Sequence, residues 1–292
     1  MGRLRRLDSE LVRRKLADSR TRAAELIRAG VVYVDGEPVL KPARQLDPAQ
    51  AVVVKDEYDP GYASRGAWKL RGALDILKEL LGDAAPKVSG RVCLDAGAST
   101  GGFTDVLLRE GAEKIYAIDV GYGQLIWRLR SDPHVEVHDR TNIRYLTAGD
   151  LEPAPTLIVS DLSFISLTLV IPALVEVAAP AAEYLLMVKP QFEVGRENVG
   201  RGGVVTDPAQ HAAAVTKVAD CALDNGLEVL QMAESVLPGP AGNIEYFLYL
   251  RKGDLLGRDV PKGANPMTDS EITARIGEMV AMRPTGSLGG RR

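Results

Sequence analysis

From Arg91 to Lys252 the chain alternates short apolar runs with helix-patterned stretches, and no other feature narrows its possible folds so far. The runs "RVCLDAG", "KIYAIDV", "VEVHD", "TLIVSDL", "EYLLMVK", "LEVLQMAES" and "IEYFLYLRK" are rich in aliphatic and β-branched residues. Strands read this way when helices cover both faces of a parallel sheet. Between them, "TGGFTDVLLREG" closes at Gly111 and "DPAQHAAAVTKVADCALDNG" closes at Gly226, and glycine is the usual stop of a helix. The alternation specifies a doubly wound, Rossmann-like α/β sheet whose ligands lie at the carboxyl ends of its strands.

One apolar window, Ser163 to Ala182, approaches the length of a membrane span. It holds Pro172, Glu176 and Pro180 and lies between two strand patterns, so a buried crossover helix and a soluble protein are expected. The charged start "MGRLRRLDSELVRR" has no apolar segment of the secretory kind. Cys93 and Cys221 form neither a paired framework nor a metal-ligand spacing, which fits reduced core residues in a cytoplasmic protein. His134, His138 and His211 lack zinc-like spacing, so no metal is expected. Trp68 and Trp127 are read as core residues, with base stacking as the other use.

Charge is distributed unevenly. Residues 1–50 hold 11 Lys and Arg against 7 Asp and Glu, net +4, which leaves −7 for the rest of a chain whose total is −3. Leu7, Leu11 and Leu16 predict one helix, and Ser19 caps a second carrying Ala23, Ala24, Leu26 and Ile27 up to Gly30. Val31 to Val34, the turn Asp35-Gly36 and Val39 predict a hairpin, followed by a strand at Ala51 to Lys55. A helical pair bearing Arg5, Arg6, Arg13, Arg14, Lys15, Arg20 and Arg22 is either a solvated charged face or a surface that attracts a phosphate backbone. Arg6-Leu7-Asp8, Ser19-Arg20, Ala24, Ile27, Gly30, Val32, Val34 and Gly36 resemble the S4 RNA-binding domain. That resemblance implies structured RNA as a partner and selects the arginines and Lys15 as its contacts. The expected organisation is an α+β RNA-binding domain over residues 1–57, a linker over 58–66, an α/β domain over 67–253, and a partly disordered extension over 254–292 with one helical pattern at Ser270 to Met282.

The turn after the first long strand is "DAGASTGGFTD". A dinucleotide fingerprint needs glycine at the middle position, and Ser99 stands there, between Gly97 and Gly102. A nucleoside cofactor without a pyrophosphate still needs Gly97 for close approach and an acid ending the next strand for its ribose hydroxyls. Asp119, 22 residues after Gly97, is placed for that role. The ordered set resembles the S-adenosylmethionine site of class I methyltransferases, and the resemblance implies contacts from Gly97, Ala98, Ser99, Gly101, Gly102 and Phe103. Asp95 is expected to position the loop or the cofactor's amine, and Asp139 to meet the adenine amine or to serve as a cap or turn residue.

Asp161 follows the fourth strand, Lys189 ends the fifth, Glu245 precedes the last, and Lys69 lies in "SRGAWKL" just before the sheet. Each alone reads as a capped or solvated strand end. Together they form a charge-balanced cluster, which tolerates partial desolvation. Lys69, Asp161, Lys189 and Glu245 resemble the Lys-Asp-Lys-Glu set of FtsJ-type 2'-O-ribose methyltransferases. With the front module, nearly the whole chain to about residue 252 resembles the TlyA family, whose members are named both as hemolysins and as rRNA (cytidine-2'-O)-methyltransferases. The resemblance implies Lys189 as the base or oxygen-orienting group, Asp161 as its partner, and Lys69 with Glu245 orienting the ribose of a ribosomal RNA. A monomer is expected. The rival expectations are a membrane-active hemolysin and a non-catalytic RNA-binding assembly factor. Base methylation is disfavoured, because neither an Asn-Pro-Pro-Tyr segment nor a catalytic cysteine is recognisable.

Overall fold

The computed structural model describes residues 4–14, 16–17, 19–28, 30–47, 50–54, 61–253 and 265–281. The chain divides into two compact units, Met1–Gly61 and Tyr62–Arg292.

The first unit runs β1 (Arg5–Arg6), α1 (Leu7–Arg13), α2 (Arg20–Arg28), β2 (Val32–Val34), β3 (Glu37–Pro38), β4 (Gln45–Leu46) and β5 (Val52–Val54). β2 pairs antiparallel with both β3 and β5. The hairpin turn uses left-handed backbone at Asp35 and Gly36, as Asp-Gly turns do. Ser19 Oγ accepts from the Arg22 amide at 3.1 Å, the expected cap. Leu7, Leu11, Leu26, Ile27, Val32 and Leu46 bury together beneath the helix pair. Two features depart from the sequence reading. α1 stops at Arg13, short of Leu16, and β1 pairs antiparallel with β4. Two-residue strands show no alternation long enough to read. Lys15 and residues 55–60 lie outside the described residues.

The second unit runs α3 (Gly66–Leu81), β6 (Val92–Ala96), α4 (Gly102–Arg109), β7 (Lys114–Ile118), α5 (Trp127–Arg130), β8 (Val135–His138), β9 (Leu157–Ser160), α6 (Ile171–Val177), β10 (Glu183–Val188), α7 (Pro190–Glu193), α8 (Pro208–Asp224), β11 (Leu227–Glu234), β12 (Tyr246–Lys252) and α9 (Asp269–Ala281). The seven strands are ordered β11-β12-β10-β9-β6-β7-β8. β12 is antiparallel to both of its neighbours, and the other pairings are parallel. Alternate strand residues serve opposite faces. Leu94, Tyr116, Ile158, Leu186 and Leu248 pack beneath α6, α8 and α9. Cys93, Ile115, Val159, Met187 and Phe247 pack beneath α3 and α4. Burial on both faces accounts for the continuous apolarity of these runs.

α6 covers only part of the predicted crossover helix. Pro172 stands in its first turn and the chain leaves the helix at Ala178, with a single 3-10 turn at Leu167–Leu169 before it. Downstream, α9 falls on the helical pattern read at Ser270 to Met282 and seals the sheet with Ile272, Ile276, Met279 and Val280. The rest of that extension, residues 254–264 and 282–292, lies outside the described residues. Between β6 and β9 the strand order switches direction: from β6 the chain winds outward through β7 and β8, then returns to β9 on the other side of β6. The loops leaving β6 and β9 diverge there, and such a switch point opens a crevice at the carboxyl edge.

Candidate active site

Antiparallel pairing brings two distant charges to one edge. Val188, the last residue of β10, sits opposite Tyr246, the first of β12, so Lys189 and Glu245 emerge on the same side. The end of β9 delivers Asp161, and the first turn of α3 delivers Lys69. Lys69 Nζ donates to Glu245 Oε2 at 2.5 Å, and both residues are buried. Lys189 Nζ lies 2.5 Å from Asp161 Oδ1 and donates to Ser163 Oγ at 3.0 Å. Two lysine–carboxylate pairs therefore stand side by side, each desolvated charge met by its opposite. Lys69, Asp161, Ser163 and Lys189 line a cleft of about 240 Å³ together with the Gly97–Thr100 loop, Gly102 and Phe103. Glu245 stands behind Lys69, away from the cleft lining.

The two segments that carry Asp161 and Lys189 are joined along their length. Lys189 meets Ser163, the Phe192 ring lies 5.2 Å from that of Phe164, and the buried Glu193 carboxylate accepts from Ser166 Oγ and from the Leu167 amide. Lys217 on α8 closes the arrangement by donating to the Glu193 carbonyl at 2.8 Å. Ser163, Phe164 and Glu193 were not singled out from sequence. Their one visible signal is proximity to Asp161 and Lys189 in the chain.

On the other wall, Gly97 adopts φ +90°, and a Cβ there would stand 3.0 Å from the Asp161 carbonyl oxygen. Only glycine fits so close an approach. Asp119, at the end of β7, accepts from the amides of Ser99 at 2.8 Å and Gly121 at 2.7 Å, so it holds the loop in place while remaining half-buried. Gly101 takes φ +102° beneath Leu125 and Leu129, and Ala98 is buried in the same face of the core. Phe103 lines the cleft and stacks on Phe247, with ring centres 6.2 Å apart.

Asp95 is fully buried and does not line the cleft. Its Oδ2 accepts from Thr104 Oγ1 at 2.6 Å, which fastens β6 to α4, and its Oδ1 has no partner among the described residues. Burial pushes this carboxyl up to about 7. Asp139 is paired with Arg130 at 2.6 Å, and that hydrogen bond lowers its pKa. A glycine cradle against Asp161 and an acid-ended second strand suit a nucleoside methyl donor.

The segment read as a linker is, from Tyr62 on, part of this unit. The Ala63 amide donates to the buried Asp105 at 2.8 Å, the Arg109 guanidinium covers the Tyr62 ring, and Ser64, Arg65 and Gly66 line the cleft. Burial pushes the Asp105 carboxyl up, but Arg128, the Ala63 amide and Arg109 together outweigh it and hold it below the usual range. Trp127 departs from the expected core position: it begins α5 and is 78% exposed. Phe164, 91% exposed, stands at the edge of the site.

In the first unit, the candidate RNA-contacting arginines are held by acids. Arg6 and Arg20 bind Asp8, while Arg13 and Arg14 bind Glu10 at 2.6 and 2.9 Å, with Arg5 3.8 Å away. Arg22 lies 3.9 Å from Glu25. The Arg6 guanidinium holds the Asp8 carboxyl well below the carboxylate range, and Arg13 brings Glu10 down to about 2. Asp8 and Glu10 thus fix the directions of half-exposed guanidinium groups. Arg14, more deeply placed, also reaches the Gln50 carbonyl.

A mostly parallel seven-stranded sheet with its antiparallel strand second from one edge, and a glycine cradle after its first strand, defines a class I methyltransferase. Comparison with known proteins makes this specific: residues 62–252 match the FtsJ-like methyltransferase model and residues 5–52 the S4 domain model. The chain is 52% identical over 251 residues to the 16S/23S rRNA (cytidine-2'-O)-methyltransferase TlyA of Mycobacterium tuberculosis, covering 86% of this chain and 91% of that one. It is 34% identical over 249 residues to Hemolysin A of Brachyspira hyodysenteriae, covering 84% and 98%. A solved structure of a hemolysin-named protein from Streptococcus thermophilus is 33% identical, with a TM-score of 0.70 and coverage of 95% and 96%. The chain belongs to the FtsJ-like methyltransferases, in their TlyA/hemolysin A branch. Its cofactor is S-adenosylmethionine, and the Lys69–Glu245 and Lys189–Asp161 pairs adjoin the loop suited to hold it.

Proposed function

We propose that this protein methylates the 2'-oxygen of ribose in ribosomal RNA, at cytidines of both the small and the large subunit. The observation that carries this reading is the pair of lysine–carboxylate contacts beside the cofactor loop. Likeness to the mycobacterial rRNA (cytidine-2'-O)-methyltransferase supports the substrate. Residues 1–57 would grip the RNA through the first unit's arginines, and residues 67–253 would carry the chemistry.

Held by the Gly97–Thr100 loop, S-adenosylmethionine would supply an activated methyl group to the ribose oxygen, its sulfur keeping the electron pair of the broken bond. The protein's part is to hold the hydroxyl in line and to accept its proton. Lys189 is the group that orients the hydroxyl oxygen or takes its proton. Asp161 faces Lys189 Nζ at contact distance. Lys69, fixed by Glu245, orients the ribose from the other side. A ribose hydroxyl is most accessible in a single-stranded or splayed-out nucleotide. No helix among the described residues is long and apolar enough to cross a membrane.

The test is methylation of separated, unmodified ribosomal subunits, followed by nuclease digestion to nucleosides. Appearance of 2'-O-methylcytidine in both rRNAs is the expected result. Methyl groups on bases alone would overturn the ribose assignment, and label confined to one subunit would remove the other from the proposal.

A further inference from the structure

Lys189 carries two acceptors on its amine, Asp161 Oδ1 at 2.5 Å and Ser163 Oγ at 3.0 Å, and all three residues line the cleft. We propose that Ser163 is a positioning residue for Lys189, fixing the rotation of the amine so that its remaining valence is left for the substrate hydroxyl. The inference rests on the cleft being the site of methyl transfer.

The argument is one of counting valences. A neutral primary amine has two N–H bonds and one lone pair, while the ammonium form has three N–H donors. Asp161 alone would engage one N–H and leave the group free to turn about its Cε–Nζ bond. With Ser163 engaging the second, one direction is still open, a lone pair in the neutral amine or the third N–H in the ammonium, and it belongs to whatever enters the cleft. Where the hydroxyl proton moves to Nζ, the same two acceptors still hold two of the three N–H bonds, so the arrangement serves before and after the transfer.

A serine on an exposed loop holds nothing unless the loop is itself held. Phe164, the next residue, adopts φ +64° and lies against Phe192. Left-handed backbone at an aromatic residue is uncommon and persists where its surroundings determine it. Three residues on, Ser166 and Leu167 are anchored to the buried Glu193. Ser163 is thus the last link of a joined pair of segments whose other strand begins at Lys189 itself. Its hydroxyl stands outside the four-residue set recognised from sequence, and its hydrogen bond from Nζ links it to that set.

The experiment compares Ser163→Ala and Ser163→Thr with the wild type in methyl transfer to unmodified ribosomal subunits, measuring kcat and KM for S-adenosylmethionine. Ser163 is exposed, so the alanine variant should fold, and thermal melting checks that it does. The expected result is a fall in kcat of about tenfold in the alanine variant with KM unchanged, and recovery to within about twofold in the threonine variant, which keeps the hydroxyl. Wild-type kcat in the alanine variant would overturn the proposal, as would a loss expressed only in KM or a threonine variant as impaired as alanine. If the wild type itself binds S-adenosylmethionine yet methylates neither subunit, the reading of the cleft fails and the role of Ser163 fails with it. That outcome is told apart from the others by the wild-type control.

Discussion

Single residues in this protein are tuned by what surrounds them more than by their type. Asp95 is the clearest case, a carboxyl sealed beneath the Gly97–Thr100 loop with one oxygen on Thr104 and the other without a partner among the described residues. Because burial raises its pKa to about 7 in the folded state, the folded protein retains a proton that the unfolded chain releases near pH 4. Between those limits the native state binds more protons, so this residue's contribution to stability declines as pH rises from about 4 to about 7. Asp95→Asn keeps the acceptor for Thr104 and removes the charge. Its melting temperature relative to the wild type should therefore be higher at pH 8 than at pH 5, by a difference on the order of a few kcal/mol in stability. An equal offset at both pH values would show that Asp95 ionises freely. Nothing in "VCLDAG" announces this behaviour, since a strand-end acid reads alike whether it is sealed in or solvated. Lys189 was legible for the opposite reason: its charge ends an apolar strand, where an unused charge is costly.

Elements differ in how far their sequence betrays them. The seven long strands were readable because burial on both faces demands unbroken apolarity, and α8 because its pattern closes at Gly226; the structure adds an N-terminal cap, Asp207 accepting from the Ala209 amide at 2.9 Å. The β1–β4 pair was not readable, being two residues a side and led by arginines. The joining of Ser163–Leu167 to Lys189–Glu193 was equally hidden, because pairing between loops is set by the strands that deliver them and by no local pattern. The loop between β6 and α4 carries its constraint openly in its glycines. Gly97→Ala would place a Cβ 3.0 Å from the Asp161 carbonyl at φ +90°, a strain of about 1–3 kcal/mol. Since the displaced backbone adjoins both the cofactor loop and Asp161, the variant should lose S-adenosylmethionine binding by calorimetry well before it loses its fold. Undiminished binding would mean that the loop has slack the geometry does not show.

At the scale of the whole molecule, one chain joins a unit whose arginines are directed by buried acids to a unit whose lysines are directed by carboxylates. Under the proposed function the same device would serve two ends, contact with a phosphate backbone in the first unit and orientation of a hydroxyl in the second. If the first unit grips RNA through these arginines, Arg13→Ala combined with Arg20→Ala should weaken rRNA binding and flatten its salt dependence by roughly one to two counterions in the logarithmic slope. Transfer at saturating RNA should change little. An unchanged salt slope would place the RNA contact elsewhere.

The central claim is that the two lysine–carboxylate pairs form the methyl-transfer centre, and Lys189→Ala addresses it most directly. Transfer of labelled methyl groups to unmodified ribosomal subunits should fall by about 10²–10⁴-fold, while S-adenosylmethionine binding stays near that of the wild type. Label that resists alkaline cleavage on its 3' side in the wild type, and vanishes in the variant, would establish ribose methylation through this lysine. A variant that binds the cofactor and transfers methyl groups at the wild-type rate would contradict the account.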